Sequence, residues 1–184
     1  MTLPEVRKPC KCLLTVVLLT ILLSPNLAAQ RGSGAKDIRT TFVFHIANYM
    51  SLPDDFENQR NITFCFIEDA PYTYYNLFTG TGIKQLRGLG VNALSVQKIE
   101  DIAGAGCQLA FFSKSKESDA LFAALTQLNL EIVTIGETRN FVNRGGIVAL
   151  VELQSRIRVL INREEYDRTA TKFSSLLLRH ARFR

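Results

Sequence analysis

The sequence predicts an α/β fold: a single domain with a mixed β-sheet flanked by helices, behind an amino-terminal export signal. A strand, a helix and a second strand follow each other closely from Cys107 to Ile135, a pattern typical of parallel strands joined by a right-handed crossover. Two strand-like runs with a two-residue connection follow at residues 146–161, which indicates an antiparallel hairpin. No linker rich in proline, glycine or serine divides the chain. We therefore expect a parallel βαβ core with a carboxy-terminal antiparallel hairpin.

The first 29 residues have the order of a secretory signal peptide. A positively charged start is followed by an apolar run from Cys12 to Leu23 and by the small residues Ala28 and Ala29. The run is about twelve residues long, whereas a helix needs roughly 20 to cross a bilayer, so a permanent anchor is the weaker interpretation. We expect cleavage after Ala29, giving a signal peptide over residues 1–29 and an exported domain over residues 30–184.

The exported domain carries little net charge. Cleavage removes three basic residues and one acidic residue from totals of 22 and 17, which lowers the formal charge from +5 to about +3. Mild basicity without a block of Lys and Arg residues is poor support for nucleic acid binding, and export is a second argument against that partner. We expect no nucleic acid partner.

An amphipathic helix is predicted at the start of the exported domain. Residues 35–49 carry apolar side chains at spacings of four, four and three, which places them on one helical face. This predicted buried face consists of Ile38, Phe42, Ile46 and Tyr49. Pro53 closes the segment, and residues 54–60 are predicted to form a polar loop.

A central strand and a short helix are predicted next. Asn61 to Ile67 is nearly continuous in apolar character, which suits a strand covered on both faces. Asp69 is expected to cap a short helix with Pro71 in its first turn, and the helix ends at the Gly80 to Gly82 break. Residues 89–99 alternate in polarity and are predicted to be extended.

The βαβ unit follows. Cys107 to Phe112 is a predicted strand, Ser115 begins the crossover helix, and Leu130 to Ile135 is the next strand. The apolar face of the crossover helix consists of Leu121, Leu125 and Leu128. Because both connections are short, the two strands pair in parallel.

The last part of the chain is predicted to be a loop, a hairpin and one helix. Residues 136–144 form the loop, and residues 146–153 and 156–161 form the hairpin. Asn162 is expected to cap the final helix, with Glu165 in a capping-box arrangement. Its predicted buried stripe consists of Tyr166, Ala170, Phe173, Leu177 and Ala181.

Cys65 and Cys107 are the two cysteines of the exported domain, in a compartment that permits disulfides. One bridge is the natural pairing, and two buried free thiols are the alternative. Both cysteines lie in apolar, strand-like runs without a Cys-x-x-Cys spacing, so a structural role is expected in either case.

The sequence offers no constellation of catalytic residues. His45 and His180 each lie within an apolar helical face and are interpreted as packing residues. No cluster of His, Asp and Glu has metal-ligand spacing, and no nucleophile elbow is present. We therefore expect that the protein is not an enzyme and that it binds neither a cofactor nor a metal ion.

The order of these segments resembles the YfiR family of exported bacterial proteins over essentially the whole mature chain. The segments that carry the resemblance are residues 35–53, 62–67, 107–113, 141–148, 158–162 and 174–181. Its best-known members are periplasmic proteins that bind the periplasmic part of an inner-membrane diguanylate cyclase and hold it inactive, and an outer-membrane lipoprotein sequesters the inhibitor. The resemblance implies that this protein lowers cyclic di-GMP and biofilm formation, and that it forms a homodimer.

The resemblance also assigns individual residues. It implies a disulfide between Cys65 and Cys107, a glycine pair at Gly145 and Gly146 that enters the hairpin after the apolar Phe141, and Asn162 at the start of the last helix. Two features depart from the family. Leu52-Pro53 stands where many members have Trp-Pro, and the cysteines for a second disulfide near the hairpin are missing.

A regulator of this kind acts through a binding surface. Phe141, Arg144 and Arg156 around the hairpin are the predicted interface residues, since exposed aromatic residues and arginines are common anchors. The alternative is that Phe141 packs in the core and both arginines are solvated. A second functional hypothesis is a periplasmic small-molecule sensor or carrier, with its site at the carboxyl ends of strands, near residues 68–71 and 113–115.

Overall fold

The computed structural model describes residues 27–51, 60–129 and 131–184. Its contacts divide the chain into residues 1–32 and residues 33–184, and the second unit holds one eight-stranded sheet flanked by helices. Most of the predicted signal peptide, residues 1–26, lies outside the described residues. So does the predicted polar loop, apart from Arg60.

The sheet is mixed, as predicted. Its strands lie in the order β2-β3-β1-β4-β5-β6-β7-β8. In chain order they are β1 Asn61–Ile67, β2 Gln85–Leu86, β3 Leu89–Ser95, β4 Leu109–Phe112, β5 Val133–Gly136, β6 Val148–Leu153, β7 Arg156–Ile161 and β8 Arg182–Phe183. β3, β1, β4, β5 and β6 are parallel neighbours, whereas β6 and β7 form the predicted antiparallel hairpin. The prediction of a parallel core with a carboxy-terminal hairpin is confirmed.

Helices cover both faces of the sheet. They are α1 Leu27–Asn48, α2 Thr73–Gly80, α3 Asp119–Leu128, α4 Arg139–Asn143, α5 Arg163–Arg168 and α6 Ser175–His180. Short 3-10 turns occur at Ile99–Asp101, Ala103–Ala105 and Lys114–Lys116. The crossover from β4 through α3 to the parallel β5 is the predicted βαβ unit.

β1 is the central strand because its alternating side chains serve two cores. Phe64 and Phe66 face one core, which also contains residues of α1, α2 and α6, while Cys65 and Ile67 face the second, which contains residues of α3 and α4. All four side chains are essentially fully buried. A strand buried on both faces has a continuous apolar sequence, which explains why this element was predictable.

The predicted disulfide is present. Cys65 of β1 and Cys107, which precedes β4, are bonded with their Cα atoms 5.8 Å apart. The bridge therefore joins neighbouring segments of the sheet and closes a loop with a sequence separation of 42 residues.

The buried face of α1 differs from the predicted one. Ile46 is buried as expected, but Ile38 is 45% exposed and Phe42 and Tyr49 are half-buried. The buried positions of the helix are Thr40, Val43, Ile46 and Ala47, and Met50 is buried just beyond its end. Both the predicted and the observed set of residues have helical spacing. The helix is oriented so that the observed set, which includes Val43 and Ala47, faces the sheet.

The predicted final helix is two helices. Asn162 caps α5 as expected, since its side-chain oxygen accepts a hydrogen bond from the Glu165 N–H. The chain is then extended through Phe173, which forms a bridge with Met50, and Ser174 caps α6. The extended residues hydrogen-bond to the backbone that follows α1, and these bonds replace helical ones. Of the predicted stripe, Tyr166, Phe173 and Leu177 are buried, Ala181 is half-buried and Ala170 is exposed.

Two further boundaries are corrected. The predicted loop at residues 136–144 contains α4, whose first turn is capped by the Thr138 hydroxyl. The crossover helix begins at Asp119 rather than at Ser115, because Ser118 provides its cap by accepting the Leu121 N–H. In both helices the side-chain hydroxyl of the residue just before the first turn, Thr138 or Ser118, accepts a hydrogen bond from a backbone N–H that has no partner within the helix.

Candidate functional site

A cleft lies where the direction of the chain through the sheet reverses. From β1 the chain first adds β3 on one side and then returns to add β4 on the other. In open α/β sheets, ligands bind outside the carboxyl ends of the strands at such a reversal. We call the concavity at this place the switch-point cleft; its volume is about 320 Å³. It is lined by Lys36, Glu68 to Pro71, Thr73, Tyr74, Ser113 to Ser115 and Glu137.

Glu68 closes the floor of the switch-point cleft. Its carboxylate is buried and accepts hydrogen bonds from the backbone N–H groups of Tyr74 and Tyr75, at 3.0 and 2.8 Å. The prediction that Asp69 caps α2 is therefore wrong, because Glu68 provides the acceptor. Asp69 is exposed and forms a hydrogen-bonded ion pair with Lys116. This hydrogen bond holds the pKa of Asp69 below its usual value.

Tyr74 carries an unsatisfied polar atom in the wall of the cleft. The residue is 2% exposed, and its hydroxyl is buried near the carboxylate of Glu137 and the guanidinium of Arg39, without a well-formed hydrogen bond to a described residue. Burial, followed by the nearby carboxylate of Glu137, raises the pKa of Tyr74. The hydroxyl therefore stays neutral over the whole physiological range. Lys36 of α1 lies above the same ring, with its ammonium nitrogen 5.9 Å from the ring centroid.

Glu117 lies near Glu137, which is one of the residues that line the switch-point cleft. One of its oxygens accepts a hydrogen bond of 2.7 Å from the Thr138 hydroxyl, and the other is buried with no partner in the described part of the chain. Burial raises the pKa of Glu117, and the charge of Glu137 raises it further. The charged form of Glu117 is therefore unfavourable in the folded protein.

Glu117→Gln is expected to raise the melting temperature at pH 8. An acid whose pKa is raised by folding stabilises the protein fully below its usual pKa of 4.5, and this contribution is lost as the pH rises through the raised value. Glutamine keeps the acceptor for Thr138 without the charge. Thermal unfolding at both ends of this range checks the prediction, and the exposed Glu131→Gln is the control. A gain of equal size at pH 8 and below pH 4.5, or a loss at pH 8, would contradict it.

A second concavity lies between α1, β7 and α6. It has a volume of about 460 Å³, and its lining is predominantly apolar. We call it the apolar groove. It is lined by Phe42, His45, Tyr49, Ile157, Arg158, Val159, Leu176, Leu177 and His180.

The apolar groove exposes large hydrophobic side chains. Leu176 on its α6 wall is 40% exposed, and Ile38, one turn before Phe42 on α1, is 45% exposed. Such residues on a folded surface, when they are contiguous and edged by polar groups, mark interaction sites. Of the α1 stripe that was predicted to be buried, Phe42 and Tyr49 thus line the groove, whereas Ile46 is fully buried.

The two histidines interpreted as packing residues meet at the apolar groove. His45 of α1 and His180 of α6 are both exposed and both line it. His45 stacks on Tyr49 with ring centroids 6.5 Å apart. The sequence alone could not predict this arrangement, because His45 and His180 are far apart in the chain and only the fold brings them to one groove.

Basic side chains lie on the elements that form the apolar groove. Arg158 of β7 lines the groove, whereas Arg156 is exposed at the start of β7 and alternates to the other face of the sheet from Ile157 and Val159. Arg179 and Arg182 are exposed close to His180 in the sequence. None of these four arginines forms an ion pair with another described residue, as judged by a nitrogen to oxygen distance of 4.0 Å. The surface is therefore suited to a partner that presents apolar residues beside acidic ones.

The structure corrects one of the three predicted interface residues. Phe141 is fully buried and stacks obliquely on Phe112, with ring centroids 5.7 Å apart, so it offers no surface to a partner. Arg144 is exposed but engages α3, through an ion pair of 2.8 Å with Asp119 and a position above the Phe122 ring. Arg156 is exposed at the start of β7 and is not among the residues that line the apolar groove.

The packing of the Phe141 ring explains why glycine is needed at position 146 of the pair. The ring packs so closely on Gly146 that a Cβ atom there would collide with it, and Gly136 is in the same position on the other side. Gly145 has a φ of 104°, which side-chain-bearing residues rarely adopt. The glycines thus allow a phenylalanine to be buried between β5 and β6.

Two features are absent from the described residues, a cluster of metal-ligating side chains and a helix that could span a membrane. They contain no group of three or more His, Cys, Asp or Glu side chains that could hold a metal ion. Within residues 27–51, 60–129 and 131–184, no helix is both long enough and apolar enough to cross a membrane.

Comparison with known proteins gives the family. A model of the family DUF4154, described as YfiR/HmsC-like, matches residues 36–182, which is most of the chain. A search of curated proteins finds no significant match. The matched range includes strands β1 to β7, the first residue of β8, the disulfide, the switch-point cleft and the apolar groove. The chain belongs to the YfiR/HmsC-like family.

Proposed function

We propose that the mature protein is a periplasmic regulator that binds the periplasmic domain of an inner-membrane diguanylate cyclase and represses it. Membership of the YfiR/HmsC-like family supports the class of partner, and the apolar groove is the observation that supports binding through a surface. Residues 1–29 would direct export and be removed. Repression would lower cyclic di-GMP and biofilm formation.

The apolar groove has the composition of a protein interface. Aromatic and aliphatic side chains from three elements line it, together with Arg158 and the two histidines. Buried aromatic residues and arginines contribute most of the binding energy in interfaces of this kind. A partner segment with apolar side chains flanked by Asp or Glu would complement both parts.

Arg156 and Arg144 remain proposed interface residues in different settings. Arg156 is exposed next to Ile157, which lines the apolar groove, and is not ion-paired with a described residue. Arg144 would have to give up its ion pair with Asp119 or contact the partner while keeping it. We therefore assign the larger contribution to Arg156.

Repression requires a difference in affinity between two states of the cyclase. A regulator that binds active and inactive forms equally well shifts nothing, whereas moving a population from 1:99 to 99:1 takes a roughly 10⁴-fold preference. The disulfide-bridged sheet provides a rigid surface for such discrimination. An outer-membrane lipoprotein that covers the same surface would release the cyclase, and a homodimer would present the surface twice.

A photocrosslinking amino acid at position 176 is expected to capture the cyclase. Leu176 and Leu94 are equally exposed, at 40% each, but only Leu176 lines the apolar groove, so position 94 on β3 is the matched control. In the native host, irradiation should join position 176, and not position 94, to an inner-membrane protein that mass spectrometry identifies as a diguanylate cyclase. Equal capture at both positions, or capture at 176 only of proteins without a cyclase domain, would contradict the proposal.

A further inference from the structure

Part of strand β7 has an unpaired edge. β8 pairs only with Leu160 and Ile161, so the stretch from Arg156 to Val159 has no strand on its outer side among the described residues. On the inner side this stretch pairs with β6. An unpaired edge presents backbone N–H and C=O groups to which another chain can add a strand. We call residues 156–159 the free edge of β7.

The register of the hairpin shows which groups of the free edge point outward. The Asn162 N–H donates to the Ile147 carbonyl, which places Ile161 in a pair that exchanges no hydrogen bonds directly. Ile161 therefore points its own N–H and C=O away from β6, and the alternation along the strand repeats this at Val159 and Ile157. No described residue hydrogen-bonds to either outward group of Ile157. Both groups are available to a partner.

The apolar groove runs along the free edge of β7. Ile157 and Val159 line it from the sheet, and residues of α1 and α6 form its two walls. Arg158 lines it as well, although its side chain alternates to the opposite face of the sheet. The groove therefore extends to the edge of the strand. A chain added to this edge places every second side chain in the groove.

The side chains of the free edge specify what a matching strand contains. Ile157 and Val159 face the groove, whereas Arg156 and Arg158 lie on the other face, exposed and without an ion pair to a described residue. Neighbours across a strand pair stabilise the sheet when both are apolar or when their charges are opposite. The matching strand therefore alternates apolar residues with Asp or Glu.

A second copy of the chain does not match the free edge. In an antiparallel pair of two β7 strands, the arginines of one strand would lie opposite the arginines of the other. Like charges in that position destabilise a sheet. The occupant is therefore a different protein that supplies acidic residues.

The opposite end of the sheet provides a reference. Asn92 to Ser95 of β3 has no strand on its outer side among the described residues, because β2 pairs only with the first two residues of β3. This stretch carries no charged side chain. The Val91 N–H donates outward to the Lys84 carbonyl, so the alternation also points the Ala93 N–H outward.

We propose that the partner bound in the apolar groove adds an extended segment to the free edge of β7, and that this segment alternates apolar residues with Asp or Glu. Its backbone bonds to the outward groups of Ile157, its apolar side chains fill the groove, and its carboxylates contact Arg156 and Arg158. The inference rests on the proposed function only in taking the groove as the docking surface. Photocrosslinking at position 176 reports docking whatever the conformation of the bound segment, so the two proposals can fail separately.

Peptide binding to the protein purified from the periplasm tests the geometry. The probes for isothermal titration calorimetry are three capped peptides: the alternating Glu-Leu-Glu-Val-Glu-Leu, the block peptide Glu-Glu-Glu-Leu-Val-Leu of the same composition, and an alternating peptide with Lys in place of Glu. The alternating acidic peptide should bind at least about tenfold more tightly than the other two, since it alone matches both faces of β7. No binding of this peptide, or equal affinity of the block peptide, would overturn the proposal.

Amide hydrogen exchange measured by NMR locates the added strand. With the alternating acidic peptide at saturation, the Ile157 amide should exchange about tenfold or more slowly, because it gains a hydrogen bond. The Ala93 amide on β3 is the internal control and should not change. An unchanged Ile157 amide, or equal protection at both positions, would show that the peptide does not extend the sheet at β7.

Ile157→Pro separates the backbone bond from the side chain. Proline lacks an N–H and is tolerated on an edge strand where the N–H faces outward. Its matched control is Ile157→Ala, which loses the side chain but keeps the donor. The two variants should have similar melting temperatures, and the proline variant should bind the peptide about fivefold to tenfold more weakly, since one hydrogen bond is lost. Equal affinity of the two folded variants would contradict a backbone bond at Ile157.

Discussion

Replacing both Cys65 and Cys107 with alanine is expected to lower the free energy of unfolding by about 4 kcal/mol. The bridge closes a loop with a sequence separation of 42 residues and so restricts the unfolded chain. Both residues are almost completely buried in the core between the sheet and α3, where alanine adds a small loss of packing. Chemical denaturation in oxidising buffer measures the change. The same variant should accumulate less in the periplasm.

Reduction provides the control for the disulfide prediction. In the presence of a strong thiol reductant the wild type should lose most of its advantage over the double variant, because both chains then lack the bridge. A single Cys65→Ala variant should resemble the double variant in oxidising buffer. Equal stability of wild type and double variant before reduction would contradict a structural role for the bridge.

Phe141→Ala is expected to lower the free energy of unfolding by about 3–5 kcal/mol, the usual cost of emptying a buried aromatic site. The ring is fully buried between Gly136 and Gly146 and packs on Phe112. The loss is large compared with the 5–15 kcal/mol that typically stabilises a domain. Denaturation of the purified variant measures it.

Gly146→Ala tests the same packing from the other side. In the wild type the new methyl group would collide with the Phe141 ring, and overpacking of this kind costs about 1–3 kcal/mol. In the Phe141→Ala background the methyl group enters the vacated space, so the second substitution should cost little or stabilise. Additive effects of the two substitutions would contradict the close packing. Normal stability of Phe141→Ala would restore Phe141 as a surface residue.

The strands were predictable because their environment leaves a direct trace in the sequence. β1 and β4 are buried on both faces and therefore consist of continuous apolar runs, and the hairpin follows from two strand-like runs with two residues between them. These features depend on local burial alone. They were enough to give the mixed sheet and its parallel core.

The errors in the predicted helices arose where two different structures are compatible with the same spacing of apolar residues. On α1, the stripe of Ile38 and Phe42 and the stripe of Val43 and Ala47 both fit a helix, and only contacts with distant parts of the chain decide which is buried. The same holds for the final helix, where hydrogen bonds between Lys172 and Ser51 favour an extended segment. Such contacts have no local signal.

The candidate sites were only partly accessible to sequence reasoning. The ends of β1 and β4 were foreseen as a place for a ligand, since a parallel sheet puts them on one edge. Glu137 and Tyr74 were missed, because their position in the switch-point cleft depends on the order of β1, β4 and β5 in the sheet. The apolar groove was missed because it joins residues from both ends of the domain.

Intracellular cyclic di-GMP in the native host tests the proposed repression most directly. The gene is deleted and then restored as wild type, as Leu176→Asp in the apolar groove, or as Leu94→Asp, which alters an equally exposed leucine elsewhere. Periplasmic protein levels are matched by immunoblotting. Deletion should raise cyclic di-GMP, and wild type and Leu94→Asp should lower it again while Leu176→Asp should not. Unchanged cyclic di-GMP on deletion, or full restoration by Leu176→Asp, would contradict repression of a cyclase through the apolar groove.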